Sequence, residues 1–417
     1  MSDARTLGAS DPREIAPEPR PRVAKPGART DKRRVLMLSE IIAPYRIPVF
    51  NALTKHEQVD LRVIFLAETD STLRQWRVYK NEISFSYEVL PSWRLRVGKR
   101  NLLINWGLRS RLNLFAPDAI ICGGYNYLAS WQALRWANRR HVDFILWSES
   151  NAQDARGGKS SVEALKRRFL NRCDRFVVPG KSSLAYLKSL GANPESIFVA
   201  PNAVDNSLFQ SEVAAARAQE SARDKKTLPQ RYFLYVGRLV EEKGIYDLLT
   251  AYAQLEPDVR SAIGLVFAGD GPGRRELENA AKGIQPGTIC FPGFIHREDL
   301  AAFYAFAETL VLPTHSDPWG LVVNEAMACA LPIIVTRVAG CAADLVEDGV
   351  NGYVVPARNP QRLSQAMHTL VRDPELRKQM SARSVARIRD FSPESCAAGL
   401  AEAALSSNAR HAGKRAW

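Results

Sequence analysis

The sequence predicts an α/β protein built as two doubly wound parallel-sheet domains of Rossmann-like architecture facing a central cleft. Three observations predict it. The chain has 417 residues, more than one compact core ordinarily organises. Short apolar runs alternate with amphipathic helical stretches, as in βαβ units whose sheets are covered on both faces. This alternation runs twice, with one break near residues 206–230.

Residues 1–32 are rich in Pro, Arg, Ala and Glu without periodicity and read as a disordered tail. Folded structure is expected to begin with the strand Val35-Leu36-Met37-Leu38. Strand-like runs follow at 61–67, 119–122, 144–147, 176–179 and 197–201, with helical segments such as 127–139 and 161–173 between them. Residues 102–115 are expected to form a core helix ahead of the strand at 119–122. The 206–230 stretch has no strand signal and reads as a linker or peripheral helix. The alternation resumes at 232–236, 265–268, 289–291, 310–313, 333–335 and 353–355. The expected division is a first domain over 33–200 and a second over 201–391, with a C-terminal helix at about 392–407 packing back on the first. A ligand is expected at the strand C-termini, between the domains.

Composition is that of an ordinary globular protein, 46% hydrophobic and 24% charged. No uncharged apolar run approaches the ~20 residues that cross a bilayer; the best, 300–313, is cut by Glu308. Residues 1–34 lack the apolar segment of a secretory signal, so a place in the cytosol or on the cytoplasmic membrane face is expected. Cys122, Cys173, Cys290, Cys329, Cys341 and Cys396 are scattered, with neither C-x-x-C pairs nor nearby histidines; buried thiols are expected rather than a metal site or disulfides. The net charge of +13 is unevenly placed. Residues 33–200 hold 26 Lys/Arg against 14 Asp/Glu, whereas residues 201–417 hold 24 against 25. A basic first half fits either a solvated surface or an anionic partner. Nucleic acid as that partner lacks any recognised binding motif; a membrane surface suits the basic, Trp-containing stretch 93–100 with Arg109 and Arg111.

Three segments carry candidate chemistry. After the strand at 232–236 comes Gly237-Arg238-Leu239-Val240-Glu241-Glu242-Lys243-Gly244, a turn where backbone N–H groups and two cations can meet a diphosphate. After the next strand comes Ala268-Gly269-Asp270-Gly271-Pro272-Gly273, whose glycines permit close backbone approach but lack G-x-G-x-x-G spacing. The third is Pro313-Thr314-His315-Ser316-Asp317-Pro318-Trp319-Gly320, followed by a helix-forming run. A helix N-terminus near Gly320 favours an anion. Asp317 before it and Glu325 inside it are acceptors suited to sugar hydroxyls, or else an N-cap and a helix-face carboxylate.

Together these segments resemble family 4 (group 1) retaining glycosyltransferases of the GT-B fold. Pro292-Gly293-Phe294, the spacing Asp317-x7-Glu325, the following Ala326-Met327-Ala328-Cys329-Ala330-Leu331-Pro332 and Gly349-Val350-Asn351-Gly352-Tyr353 agree in order and spacing. Pro201-Asn202-Ala203-Val204-Asp205 is similar to the family's interdomain entry. The resemblance implies that Arg238 and Lys243 bind the donor's diphosphate with the backbone of Gly320, Leu321 and Val322. Glu325 would hold the ribose, Gly269 would adjoin the donor, and the base would lie against Phe294 and His296. Asp317 stands where the family usually has a Glu contacting the donor sugar, an arm one methylene shorter.

In the first half the departures are larger. Ala43-Pro44-Tyr45-Arg46 replaces a glycine pair, and Glu149 is the candidate for the site where many members carry a histidine, or else a loop carboxylate hydrogen-bonded to Asn151 or Ser148. The candidate catalytic set is therefore Asp317, Glu149, Arg238 and Lys243, with Tyr45, Arg46, Gly123, Gly124 and Tyr125 on the acceptor side. What the resemblance implies is retaining transfer from a nucleotide-diphosphate sugar, needing no metal or cofactor. With the basic first half, it suggests a lipid-linked or cell-surface glycan acceptor. Sugar-nucleotide epimerase or sugar-phosphate synthase activity, or a catalytically silent sugar-binding role, remain the alternatives.

Overall fold

The computed structural model describes residues 31–70, 76–97, 100–152, 160–218 and 228–406; the expected tail, apart from residues 31 and 32, lies outside them. Fifteen strands are formed by the described residues. A seven-stranded parallel sheet holds β1 (Arg33–Ser39), β2 (Val59–Phe65), β3 (Ser86–Val89), β6 (Ala119–Cys122), β7 (Asp143–Trp147), β8 (Arg175–Val178) and β9 (Ile197–Val199). Its order is β3-β2-β1-β6-β7-β8-β9. A six-stranded parallel sheet holds β10 (Tyr232–Val236), β11 (Gly264–Ala268), β12 (Ile289–Gly293), β13 (Thr309–Leu312), β14 (Ile333–Thr336) and β15 (Gly352–Val355), in the order β12-β11-β10-β13-β14-β15. The remaining pair, β4 (Ser92–Val97) and β5 (Arg100–Asn105), is an antiparallel hairpin.

Central strands are apolar throughout because both faces are covered: every residue of β6, β7, β8, β11, β13 and β14 is buried. Each sheet separates two hydrophobic cores, one on each face. Sheet order reverses between β1 and β6 and between β10 and β13, which places a crevice at each switch point.

One helix ties the chain's end to its beginning. Helix Pro393–Leu405 starts with Ser392, whose Oγ accepts the Ser395 N–H at 3.2 Å, and with proline at its first position. Its Cys396, Ala397, Leu400, Ala401, Ala403 and Ala404 sit in the core of the first sheet beside Val35 and Phe50. Small residues allow that approach: a Cβ on Gly399 would lie 2.2 Å from the Val199 carbonyl oxygen. Buried Arg175 locks the helix, donating to the Ala403 carbonyl at 2.7 Å and to Asp143 Oδ2 at 2.8 Å.

One sequence expectation needs correction. Residues 102–115 are not one helix. Residues 102–105 belong to β5, and the helix is only Leu108–Phe115. Asn105 Nδ2 donates to the Leu66 carbonyl at 2.6 Å, and Gly107 has φ of 83°, so the chain turns before the helix begins. The basic stretch 93–100 is mostly strand, and two cations of the expected membrane footprint are engaged elsewhere. Arg94 is ion-paired with buried Asp70, and Arg111 lies 3.4 Å from Glu88. Among the described residues no helix is long and apolar enough to cross a membrane.

Candidate active site

The turn after β10 is held from below by the turn after β11. Gly237 N–H donates to the Ala268 carbonyl at 3.0 Å and Leu239 N–H to the Asp270 carbonyl at 2.9 Å. A Cβ on Gly269 would stand 1.8 Å from the Gly237 oxygen, and one on Gly271 2.6 Å from the Leu239 oxygen. These glycines serve the packing of one turn on another. Gly269 is not among the residues bordering the cleft.

A second seam joins the turn after β10 to the loop after β13. His315 N–H donates to the Glu242 carbonyl at 2.9 Å, Thr314 Oγ1 donates to the same oxygen at 3.2 Å, and Thr336 Oγ1 donates to the Thr314 carbonyl at 2.6 Å. The consequence is an ion pair between the two segments: Lys243 Nζ lies 2.6 Å from Asp317 Oδ2. Asp317 Oδ1 also accepts the Trp319 N–H at 3.2 Å. Arg238, in contrast, is half exposed, and among the described residues its guanidinium is ion-paired with the equally exposed Glu242, at 3.1 Å.

Helix Leu321–Ala328 opens at Gly320, whose φ of 96° suits a residue without a side chain. Inside it, Glu325 accepts a hydrogen bond from Tyr304 Oη at 2.6 Å. Burial pushes the Glu325 carboxyl up to about 7, against the opposing effect of that hydrogen bond. Phe294 and His296 stand edge to face, ring centres 5.1 Å apart.

The two cations, the two carboxylates and the helix start border one cleft of about 590 Å³. Its walls include Arg238, Lys243, Asp317, Gly320, Leu321, Val322 and Glu325, with Phe294 and His296 at one side. The first half contributes Tyr45 and Glu149. Sequence reasoning missed Trp76, Tyr79, Asn202 and Arg297, which also line it. Arg297 Nη1 lies 3.0 Å from Glu82 Oε2, and its guanidinium stacks 3.8 Å from the Tyr79 ring centre, clasping the two halves across the cleft. No local motif marks these residues, because their partners are distant in sequence: Arg297 meets Glu82 across 215 positions and Asn202 meets Asn324 across 122.

Four of the five acceptor-side residues lie away from the cleft lining. Arg46 is not at the cleft surface; it lies beneath Glu149, ion-paired with it, and 3.7 Å from the Trp147 ring centre. Tyr125 turns away, because the aromatic cluster of Phe169 and Trp131 draws its ring into the core face; the Phe169 ring is 6.0 Å away, and Trp131 Nε1 donates to the Tyr125 carbonyl at 3.1 Å. Gly123 and Gly124 continue the edge of β6, where Gly123 N–H donates to the Leu38 carbonyl at 2.9 Å, and neither lines the cleft.

Two family models tile most of the chain. One described as glycosyltransferase family 4 matches residues 52–208, and one described as glycosyl transferases group 1 matches residues 217–387. An α-D-kanosaminyltransferase of Streptomyces kanamyceticus is 35% identical over 150 residues, covering 36% of this chain and 38% of that protein. A D-inositol 3-phosphate glycosyltransferase of Kineococcus radiotolerans is 29% identical over 243 residues, covering 54% and 55%. The chain thus spans about half the length, or less, of these curated relatives. In three dimensions it superposes on Anabaena HepE, solved in complex with UDP, with a TM-score of 0.69 at 18% identity, covering 88% of this chain and 98% of that one. The chain belongs to the family 4, group 1 glycosyltransferases, and its fold is GT-B.

Proposed function

We propose that the protein transfers a sugar, with retention of configuration and without a metal or cofactor, from a nucleotide-diphosphate sugar to a lipid-linked or cell-surface glycan. One observation carries this reading: the two cations, the helix start and the two carboxylates singled out from sequence all border one cleft at the β10/β13 switch point. Loss of a nucleoside diphosphate develops negative charge on the departing oxygens. Arg238, Lys243 and the N–H groups of residues 320–322 are a preorganised counter-charge for it. Glu325 would grip the ribose hydroxyls. Asp317 would contact the sugar and hold Lys243, and Glu149, fixed by Arg46, would face the acceptor. The structural likeness to HepE, whose crystals hold UDP and, separately, UDP with glucose, supports a donor of this class. The basic charge of the first half supports a membrane-borne acceptor and a peripheral place on the cytoplasmic membrane face.

The test is a coupled assay for released nucleoside diphosphate across UDP-, GDP- and ADP-sugars, with and without glycan acceptors. Acceptor-dependent release supports transfer. Donor conversion without an acceptor favours an epimerase, and an absence of turnover despite donor binding favours a silent sugar-binding protein.

A further inference from the structure

A flank of the first half carries a recess that shares no residue with the cleft. Helices Leu108–Phe115 and Leu128–Arg140 pack together against the first sheet and leave a groove of about 420 Å³ between them. Buried Leu108 and Leu112 supply apolar lining, and four of the eight lining residues are arginines: Arg109, Arg135, Arg139 and Arg140. None is acidic. On the longer helix, Gln132, Arg135, Trp136, Arg139 and Arg140 recur at i, i+3, i+4, i+7 and i+8, so they occupy one face.

This lack of counter-charge is local. Neighbouring arginines on the same half are paired, Arg111 with Glu88 and Arg34 with Asp118, each at 3.4 Å. Among the described residues the four groove arginines have no ion pair. Part of the wall is pinned: Asn113 Oδ1 accepts Trp136 Nε1 at 2.9 Å and Arg140 Nη2 at 3.5 Å, and the Arg140 guanidinium sits 5.6 Å from the Trp136 ring centre. Like charges at i and i+4, as in Arg135 and Arg139, repel. Held together in a recess without carboxylates, they are relieved by an anion, and guanidinium forks match the oxygens of phosphate.

We propose that this groove is a phosphate-binding site. Its ligand is a phosphate-bearing anion, either free in solution or displayed as a lipid headgroup. Leu114 on the Arg109 helix is 70% exposed and Trp106 just before it 54% exposed, so the same segment also presents apolar side chains to solvent.

The experiment uses the full chain and the double variant Arg135→Gln/Arg139→Gln, with Arg275→Gln, an exposed arginine outside both the groove and the cleft, as the comparator. Inorganic phosphate is titrated by calorimetry, and flotation is measured with vesicles of phosphatidylcholine alone or mixed with phosphatidylglycerol. The expected result is binding that weakens about tenfold or more in the double variant and not in Arg275→Gln. Binding of inorganic phosphate identifies a free ligand as sufficient; binding only to phosphatidylglycerol vesicles identifies a headgroup. Melting temperature without added anion should be unchanged or higher in the double variant. Failure of the wild type to bind either probe, equal binding by the double variant, or a lowered melting temperature showing a structural role would each overturn the proposal.

Discussion

Lys243 and Asp317, assigned from sequence to the diphosphate and the sugar of one donor, hold each other at 2.6 Å, each about one-sixth exposed. Both carboxylate oxygens are committed, one to Lys243 and one to the Trp319 N–H. The cation is therefore aimed by the acid before any ligand arrives. Lys243→Ala should lower turnover about 100- to 1000-fold, as expected for loss of one preorganised charge facing a leaving group. Asp317→Asn should lose less. Because the two act as a unit, the double variant should be scarcely worse than Lys243→Ala alone. Steady-state kinetics decide it, and wild-type rates in Lys243→Ala would remove the diphosphate assignment.

Glu325 sets a pH dependence. Burial lifts its carboxyl from an ordinary value of 4.5 to about 7, while only the ionised carboxylate offers both oxygens purely as acceptors to two ribose hydroxyls. Donor binding should strengthen as pH rises through 7, by at most about tenfold per unit below it, with release of a proton. Stability has the opposite sign. The folded state holds more protons than the unfolded one between pH 4.5 and 7, so stability falls across that window and levels off above it. Glu325→Gln should flatten both curves. UDP titrations and thermal unfolding at several pH values check them together; an unchanged slope in the variant would separate Glu325 from the nucleotide.

Arg46 works through Glu149. Its guanidinium is stacked on Trp147 and ion-paired with the carboxylate at the cleft wall. Arg46→Lys keeps the charge and loses the planar stack and fork, so turnover should fall about tenfold with little change in donor affinity. Arg46→Met leaves a partly buried carboxylate unpaired and should cost about 1–3 kcal/mol of stability. Chemical denaturation and acceptor-dependent kinetics measure the two effects separately.

The second half was more legible than the first for a physical reason. Its turns are constrained by backbone contacts that admit few residue types, so Gly237, Gly269, Gly244 and Gly320 leave a trace in local order and spacing. A Cβ on Gly244 would sit 2.0 Å from the Pro313 oxygen. Glu325 was legible as a helix position, but its neighbour Tyr304 was not, since that contact joins two helices. In the first half the decisive contacts are long-range. Arg46 meets Glu149 across 103 positions, and Arg297 meets Glu82 across 215. The hairpin β4–β5 escaped notice because Asn101-Leu102-Leu103-Ile104-Asn105 runs on into helical residues without punctuation until Gly107.

Gly269 gives the sharpest test of turn-on-turn packing. The atoms that a Cβ would meet are the Gly237 carbonyl at 1.8 Å and its carbon at 2.9 Å, both backbone, in a strip already fixed by the Gly237 and Leu239 hydrogen bonds. Neither turn can yield without moving Arg238. Gly269→Ala should therefore lose about 2–4 kcal/mol of stability, and the protein that remains folded should bind UDP roughly tenfold more weakly through a misplaced guanidinium. Gly123→Ala is the contrast. Its Cβ would meet nothing closer than the Leu38 oxygen at 3.5 Å, an ordinary contact, so stability should change by less than about 0.5 kcal/mol. Thermal unfolding and UDP titration of both variants distinguish a glycine required by packing from one merely placed at a strand end; equal losses at the two sites would refute the assignment of Gly269 to packing.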